Sequence, residues 1–429
     1  MSNELMDFVL PEKTPAIIKV VGVGGGGGNA VKNMFKQGIH GVSFALCNTD
    51  KQAMRDSDIT TKLQLGPLTT KGLGAGNRPE IAKLAAEESK DDISRMFDDG
   101  TEMAFITAGM GGGTGTGAAA VVAGIAKSMG ILTVGIVTIP FLFEGRRKIM
   151  QALAGVEAMS KNVDTLLVIN NERLKSIYSD LDIDNAFAKA DDTLTVAAKG
   201  ISEIITTRGY INLDYADVKT ILKDSGVAIM GTGYGEGEYR LEEALQDALN
   251  SPLLDNKDVF KSKKVLYNIY YSEEKKLIID EMNAIDTFMN RFENDIEVIW
   301  GTSKVEGLGE KVKITLLATG FNMSDIGGIE TDESKLSPEE REKLQQIEEQ
   351  DEQRRLFFEN QMQKYYGQTA IKQLGINPMA SQPYIFSREE LDDDLVAEAV
   401  ENTPVFKRDK DFNPHEYKRN SKQPYGSLF

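Results

Sequence analysis

Gly109-Met110-Gly111-Gly112-Gly113-Thr114-Gly115-Thr116-Gly117 is the stretch on which the fold turns. It follows an apolar, β-prone run, Met103–Ala108, and leads into an apolar helical pattern, Ala118–Met129. Glycines between a strand and a helix let backbone N–H groups approach phosphate oxygens where the helix dipole favours negative charge. Thr114 and Thr116 add hydroxyl donors. Upstream, Gly22-Val23-Gly24-Gly25-Gly26-Gly27-Gly28 joins the β-branched run Ile17–Val23 to a helix over Asn29–Lys36. It satisfies G-x-G-x-x-G through Gly22, Gly24 and Gly27, and Asp50 lies near the end of the next strand. Alone, that fingerprint fits a tight turn or an NAD site as well as a nucleotide triphosphate. A third glycine loop, Gly72-Leu73-Gly74-Ala75-Gly76-Asn77, lies between them. Two glycine loops on one sheet can wrap a multiply charged phosphate chain from two sides. No G-x-x-x-x-G-K-[ST] occurs, so the expectation is a di- or triphosphate held mainly by backbone amides rather than a Walker-type site.

Outward from these loops the pattern alternates strand and helix. Gly41–Leu46, Ile131–Val137 and Thr165–Ile169 are further strands, and Pro79–Met96 is a helix. This order predicts an α/β, Rossmann-like parallel sheet covered on both faces. Asn185–Thr207 is a long central helix whose apolar positions Phe187, Ala190, Leu194, Ala197, Ile201 and Ile204 keep three- and four-residue spacing. A second block follows, with strands at Val227–Met230, Lys264–Tyr270, Glu297–Trp300 and Lys313–Ala318 and a helix at Asp280–Phe292. It reads as a second, smaller α/β domain hinged on the long helix. Beyond Phe321, Ser337-Pro338-Glu339-Glu340 has the spacing of a capping box, so a helix over 337–366 is expected, with a thin apolar stripe suited to solvent or a partner. Gln368–Asp394 reads as linker.

Composition narrows the chemistry. The chain has 429 residues, with 49 Lys+Arg against 66 Asp+Glu and a net charge of −17. Residues 322–406 hold 19 acids and 8 bases, and residues 407–429 hold 3 acids and 6 bases, so the tail ends in a small basic tip. The acidic balance argues against nonspecific nucleic-acid or anionic-membrane binding. A single cysteine, Cys47, allows no intrachain disulfide, and two histidines, His40 and His415, leave little for Ser–His or His–metal catalysis. No Cys/His cluster for a metal is present. The first residues have neither a cationic start nor an apolar core, so no signal peptide is expected. The most apolar stretch, Gly117–Phe143, is broken by Lys127, Ser128 and glycines, so direct membrane insertion is not expected.

The quoted loop resembles the tubulin signature, and VVGVGGGGGNAV, Asn48-Thr49-Asp50, LGAGNRPE, PFLFEGRR and INLDYADVK resemble the FtsZ family of bacterial, tubulin-like division GTPases, in family order over residues 15–321. The resemblance implies a tubulin/FtsZ-like GTPase domain over 15–184, a central helix over 185–208 and a C-terminal, GTPase-activating domain over 209–321. An N-terminal tail (1–14), an acidic linker (322–395) and a partner-binding tail (396–429) complete the expected organisation. It implies GTP/GDP as ligand, with Gly25, Gly26, Gly27 and Asn29 at the phosphates and guanine edge. Gly74, Ala75 and Gly76 would approach the γ-phosphate, and Gly111, Gly112, Gly113, Thr114, Gly115, Thr116 and Gly117 the α- and β-phosphates. Thr138 and Glu144 would serve the ribose and Asn171 the base. Lys148, or Arg147 beside it, stands where the family commonly has Arg, and Lys offers a point charge instead of a fork. Asn170 stands where proline is frequent. Phe187 and Asp191 lie four apart on one helix face; the resemblance stacks Phe187 on the base and makes Asp191 accept from guanine's N–H groups. By residue type alone, Phe187 could equally be core and Asp191 a solvated carboxylate.

The pocket offers no base to activate water. Asp214 and Asp217 could be an ordinary helix start. The resemblance instead has Asn212, Asp214 and Asp217 face the nucleotide of the next subunit in a head-to-tail filament, with Mg²⁺ held through phosphates and water and K⁺ as a candidate second cation. Asn402-Thr403-Pro404-Val405-Phe406-Lys407-Arg408 resembles the family's terminal peptide, which implies docking of Pro404, Phe406 and Arg408 onto membrane-anchor and regulatory division proteins. The implied setting is cytoplasmic, at midcell on the inner face of the membrane. Competing readings are an NAD oxidoreductase, which leaves GGGTGTG unexplained, a tubulin-like filament GTPase for DNA segregation, and a nonhydrolysing scaffold of the same fold.

Overall fold

Apolar β-branched runs separated by helix-length segments fold into a sheet only when both faces are covered, and the chain does this from its first strand. A computed structural model describes residues 16–321 except 40, 179–181, 208, 252–258 and 293–295. The N-terminal tail, the expected helix 337–366, the linker and the peptide with Pro404, Phe406 and Arg408 lie outside the described residues.

The first block runs β1 (Ile18–Val23), α1 (Gly24–Lys36), β2 (Val42–Asn48), β3 (Thr61–Gln64), α2 (Pro79–Glu88), α3 (Lys90–Phe97), β4 (Met103–Gly109), α4 (Gly113–Ser128), β5 (Leu132–Ile139), α5 (Arg146–Ser160), β6 (Thr165–Asn170) and α6 (Asn171–Ile177). The long helix α7 (Ile183–Thr206) leads to β7 (Gly209–Ile211), α8 (Tyr215–Leu222), β8 (Gly226–Gly235), α9 (Arg240–Leu249), β9 (Lys264–Tyr271), α10 (Asn283–Met289), β10 (Glu297–Lys304) and β11 (Val312–Phe321).

All eleven strands form one sheet in the order β3-β2-β1-β4-β5-β6-β8-β11-β9-β10-β7. The strands from β3 to β6 are parallel neighbours. β8 continues the sheet by pairing Gly226 and Val227 with Thr165 and Leu166 of β6. Beyond it the sheet is mixed: β11 is antiparallel to β8 and β9, and β10 is parallel to β9. The core around α7 unites both blocks, placing Val20, Phe105, Ile136, Leu194 and Ile201 with Leu213, Val218, Leu266 and Leu317. A separate core gathers Leu241, Leu245, Ile269, Phe288 and Ile314 beneath α9.

Three elements differ from the sequence expectation. Gly24–Gly28 and Gly113–Gly117 form the first turns of α1 and α4, and only Met110–Gly112 remains as a turn between β4 and α4. The helix expected over Pro79–Met96 breaks at Ser89, whose buried hydroxyl accepts the Gly66 N–H at 2.9 Å. The segment expected as a helix over Asp280–Phe292 is a 3₁₀ turn, Ile279–Met282, followed by the short α10.

Candidate functional site

In a parallel sheet the carboxyl ends of the strands share one edge, and the connections leaving them cluster there. Gly22 and Val23 of β1 pair with Thr107 and Ala108 of β4, Gly109 pairs with Thr138 of β5, and Ile139 pairs with Asn170 of β6. Register alone therefore brings the two glycine helix starts, Thr138, Glu144 and Asn171 to one edge. The third glycine loop joins through β2: Gly74 N–H donates to Thr49 O at 3.2 Å, and Asp50 bridges to Leu73. The helix α7 lies beside α1, tied by Asn33 Nδ2 to Thr195 Oγ1 and Gln37 Nε2 to Asp192 Oδ1, each at 3.2 Å.

The glycines divide by what surrounds them. Gly24 and Gly111 have φ of +74° and +101°, a region that side chains disfavour. Gly27 packs on Thr107 O, Gly113 on Asn77 and Arg78, Gly115 on Gly109 O and Gly117 on Pro79 O, so a Cβ at any of them would collide with backbone. Gly26 lies against the Gly109 backbone. Gly25, Gly76 and Gly112 instead face open space. Both α1 and α4 begin without a side-chain cap, at Val23 and Gly112. Their first N–H groups lack intrahelical partners, and an anion there would supply what a capping side chain does. Thr114 Oγ1 lies 2.7 Å from Thr49 Oγ1, and Gly111 N–H donates to Thr116 Oγ1 at 2.9 Å, so both threonines also hold the shape of the turn.

Across the edge, Phe187 is 40% exposed near the start of α7. Its ring stands edge-on to Phe141 at 5.3 Å and to Phe143 at 6.5 Å, and those two stack at 5.0 Å. Of the apolar series on α7, only Phe187 leaves the core: Ala190, Leu194, Ala197, Ile201 and Ile204 are all buried. Asp191 lies one turn on, and burial pushes its carboxyl up to about 6. Asn171 Oδ1 and Asn170 Nδ2 are buried without hydrogen-bond partners. Buried amide groups are normally satisfied, so these two atoms fit a site completed by a polar ligand. Asn170 Oδ1 itself caps α6 by accepting the Glu172 N–H at 3.0 Å. Glu144 accepts the Phe141 N–H at 2.9 Å and pairs with Lys148 Nζ at 3.0 Å. Thr138 is buried on β5, Ala75 is buried in the third loop and Asn29 is exposed on α1.

Asp214 and Asp217 lie elsewhere. Asp214 Oδ1 accepts the Asp217 N–H at 2.9 Å and Asp217 Oδ2 accepts the Asp214 N–H at 3.0 Å, a reciprocal cap on α8. Asn212 Oδ1 accepts the Gly209 N–H at 3.1 Å. Tyr215 between them donates its hydroxyl to Glu102 O at 2.8 Å, just before β4 begins. The glycine turn leaves the other end of that strand, and seven residues of parallel strand span about 20 Å. The fold thus gathers the phosphate and base candidates at one pole and sets Asn212, Asp214 and Asp217 at the other.

The GTPase-domain model of the tubulin/FtsZ family matches residues 17–179, the FtsZ-family C-terminal domain matches 226–322, and a further FtsZ C-terminal model matches 380–412. The chain is 50% identical over 420 residues to the cell division protein FtsZ of Porphyromonas gingivalis, covering 95% of this chain and 89% of that one. The chain belongs to the FtsZ family. The cell division protein FtsZ of Wigglesworthia glossinidia brevipalpis is 45% identical over 310 residues, 72% of this chain and 80% of its own length. Among solved structures, an empty FtsZ dimer from M. jannaschii superposes with a TM-score of 0.67 at 38% identity, covering 76% of this chain and 95% of that one. CetZ1 from Haloferax volcanii shares the fold, at a TM-score of 0.62 and 18% identity over 78% of this chain and 99% of its own. As an FtsZ-family member the chain is a GTP-binding, GTP-hydrolysing filament protein of cell division; this family placement favours division over DNA segregation.

Three contributors escaped the motif reading. Phe141 and Phe143 brace Phe187, and their signal is the pair of phenylalanines in PFLFEGRR. Gln151 of α5 contacts the glycine turn at Gly111 and Gly112, and no local pattern announces it.

Proposed function

We propose that GTP lies along the carboxyl edge of β1, β4, β5 and β6, with its phosphates between the uncapped starts of α1 and α4. That meeting of two glycine-built helix N-termini is the observation that carries the reading. Gly25–Gly27 and Gly111–Gly117 surround the α- and β-phosphates, and Gly74, Ala75 and Gly76 approach the γ-phosphate. Thr138 and Glu144 serve the ribose, and Lys148, paired with Glu144 at 3.0 Å, or Arg147 beside it serves the nucleotide. Asn29, Asn171 and Asp191 read the base, and Phe187 stacks on it with its edge held by Phe141 and Phe143. An acidic acceptor suits guanine, whose ring and amino N–H groups donate, and opposes adenine, which lacks those donors on the corresponding edge.

The pole-to-pole separation within one chain supports hydrolysis at a site shared between subunits. Asn212, Asp214 and Asp217 of one copy meet the nucleotide of the next, where the carboxylates orient and polarise water. Phosphoryl transfer relies mainly on positioning and charge stabilisation, so carboxylates and a metal suffice without His or Cys. Mg²⁺ is assigned to phosphate oxygens and water, and K⁺ to the Asn212 loop. A contact between unlike poles does not close on itself and builds filaments.

No helix of the described residues is long and apolar enough to cross a membrane. Family membership implies a cytoplasmic division-site protein. Midcell placement at the inner face of the membrane is assigned to Pro404, Phe406 and Arg408 of the tail, docked onto anchors and regulators. Sedimentation with GTP, GDP, ATP and NAD, with phosphate release read alongside, tests the nucleotide and filament reading together. Pelleting and phosphate release with GTP alone are expected; equal response to ATP would reject the base assignment.

A further inference from the structure

Besides Thr49, which meets Thr114, a side chain from α5 reaches the phosphate end of the site from outside its glycine turns. Gln151 Nε2 donates to the carbonyls of Gly111 at 3.1 Å and Gly112 at 2.9 Å, and Asn77 Oδ1 lies 3.4 Å away. A carboxamide carries two N–H hydrogens, and here they meet two consecutive peptide carbonyls. In a trans peptide plane the C=O and the following N–H point in opposite directions. Holding the Gly111 and Gly112 carbonyls toward α5 therefore turns the N–H groups of Gly112 and Gly113 the other way. Those N–H groups belong to the uncapped start of α4. Gly112 has open space around it, whereas Gly113 sits against Asn77 and Arg78, so the third glycine loop and the start of α4 are in backbone contact.

We propose that Gln151 is a positioning residue for GTP. It keeps two carbonyl oxygens away from the phosphates and presents the Gly112 and Gly113 N–H groups to them. This rests on the reading of Gly111–Gly117 as a phosphate cradle. A carbonyl turned inward would oppose the phosphate charge, so loss of the clamp weakens binding although Gln151 itself touches no nucleotide. Its chemistry is that of an amide donor, and a side chain of the same length without N–H cannot replace it.

The test uses the full chain, with GTP and GDP affinity, KM and kcat measured for Q151M, Q151E and G112A, and thermal unfolding without nucleotide as the check on folding. Q151M, close in shape but without donors, is expected to weaken binding of both nucleotides and raise KM about tenfold while kcat changes far less. Q151E replaces donors with a carboxylate facing two carbonyls; its affinity relative to the parent is expected to recover as pH falls and a proton returns a donor. Wild-type binding by Q151M, with binding weakened in G112A, would overturn the clamp and leave the cradle standing. A flat affinity ratio for Q151E across pH would also overturn it. Wild-type binding by G112A as well would reject the cradle itself.

Discussion

Glycine is required in the phosphate turns for two different reasons, and substitution separates them. At Gly27 a Cβ would stand 2.1 Å from Thr107 O, so the residue exists to let α1 lie on β4. At Gly25 nothing lies within 4 Å, so the backbone there is open to a ligand. G27A is expected to destabilise the fold by about 3 kcal/mol in urea unfolding, as an overpacked core does. G25A is expected to unfold like the parent but bind GTP more weakly. Equal loss of stability in both would show that the distinction is not real.

Asp191 carries a second residue-scale prediction. Its carboxyl titrates near 6 in the folded chain because burial disfavours the charge, against an ordinary 3.8. The native state therefore holds a proton that the unfolded chain has released between those values, and the stability of the nucleotide-free protein falls as pH rises through that window. Guanine recognition needs the ionised form. Affinity for GDP is thus expected to fall as pH is lowered through about 6, and D191N is expected to bind weakly with no such pH dependence. A parent and variant with the same pH profile would remove Asp191 from the base site.

At the scale of elements, α9 shows how the second block is fastened. Arg240 is 1% exposed and binds Glu281 through Nε and Nη2, Lys276 O through Nη2, and Lys275 O and Glu310 O through Nη1. Burial would raise the Glu281 carboxyl, but its hydrogen bond from Arg240 and that from the Ile278 N–H more than offset this and lower it. R240M leaves Glu281 and three carbonyls without their donor and is expected to cost about 3–5 kcal/mol in urea unfolding, with R240K restoring little because an ammonium cannot make the fork. A loss under about 1 kcal/mol would contradict the role given to this pair.

The β/α alternation and the two glycine turns were legible because each is a local pattern: β-branched runs ending in glycine and a 3.6-residue apolar stripe on α7. The split at Ser89 was not, because its hydroxyl accepts from Gly66, 23 residues away, and nothing local marks the break. The two-residue pairing that extends the sheet from β6 to β8 leaves no mark in sequence, nor does the three-residue edge strand β7. In the site, residue types pointed to Phe187 and Asp191 only as alternatives to core and solvent. Exposure of Phe187 and burial of Asp191 are tertiary outcomes set by Phe141, Phe143 and the packing of α7. Gln151 was invisible because its partners lie about forty residues away in sequence.

At the scale of the molecule, the helix start that contains Asp214 and Asp217 has a complete structural explanation in its own chain, a reciprocal cap on α8. Its position supports more than that: it stands at the opposite end of β4 from the phosphate turn, joined to the strand's base by Tyr215. In the proposed shared site, one chain carries two half-sites that cannot meet within it. D214N keeps an N-cap acceptor while halving the carboxylates, so it is expected to fold and bind GTP normally but lose turnover, and to lower the rate of parent protein when the two are mixed. Additive rates in the mixture would oppose a shared site.

The most direct test is the GTPase rate per molecule measured across protein concentration, from dilutions where sedimentation detects no assembly to those where filaments pellet. A shared site predicts a negligible rate per molecule at the dilute end and a steep rise at the concentration where filaments first appear. A rate per molecule that stays constant through the assembly threshold would contradict it.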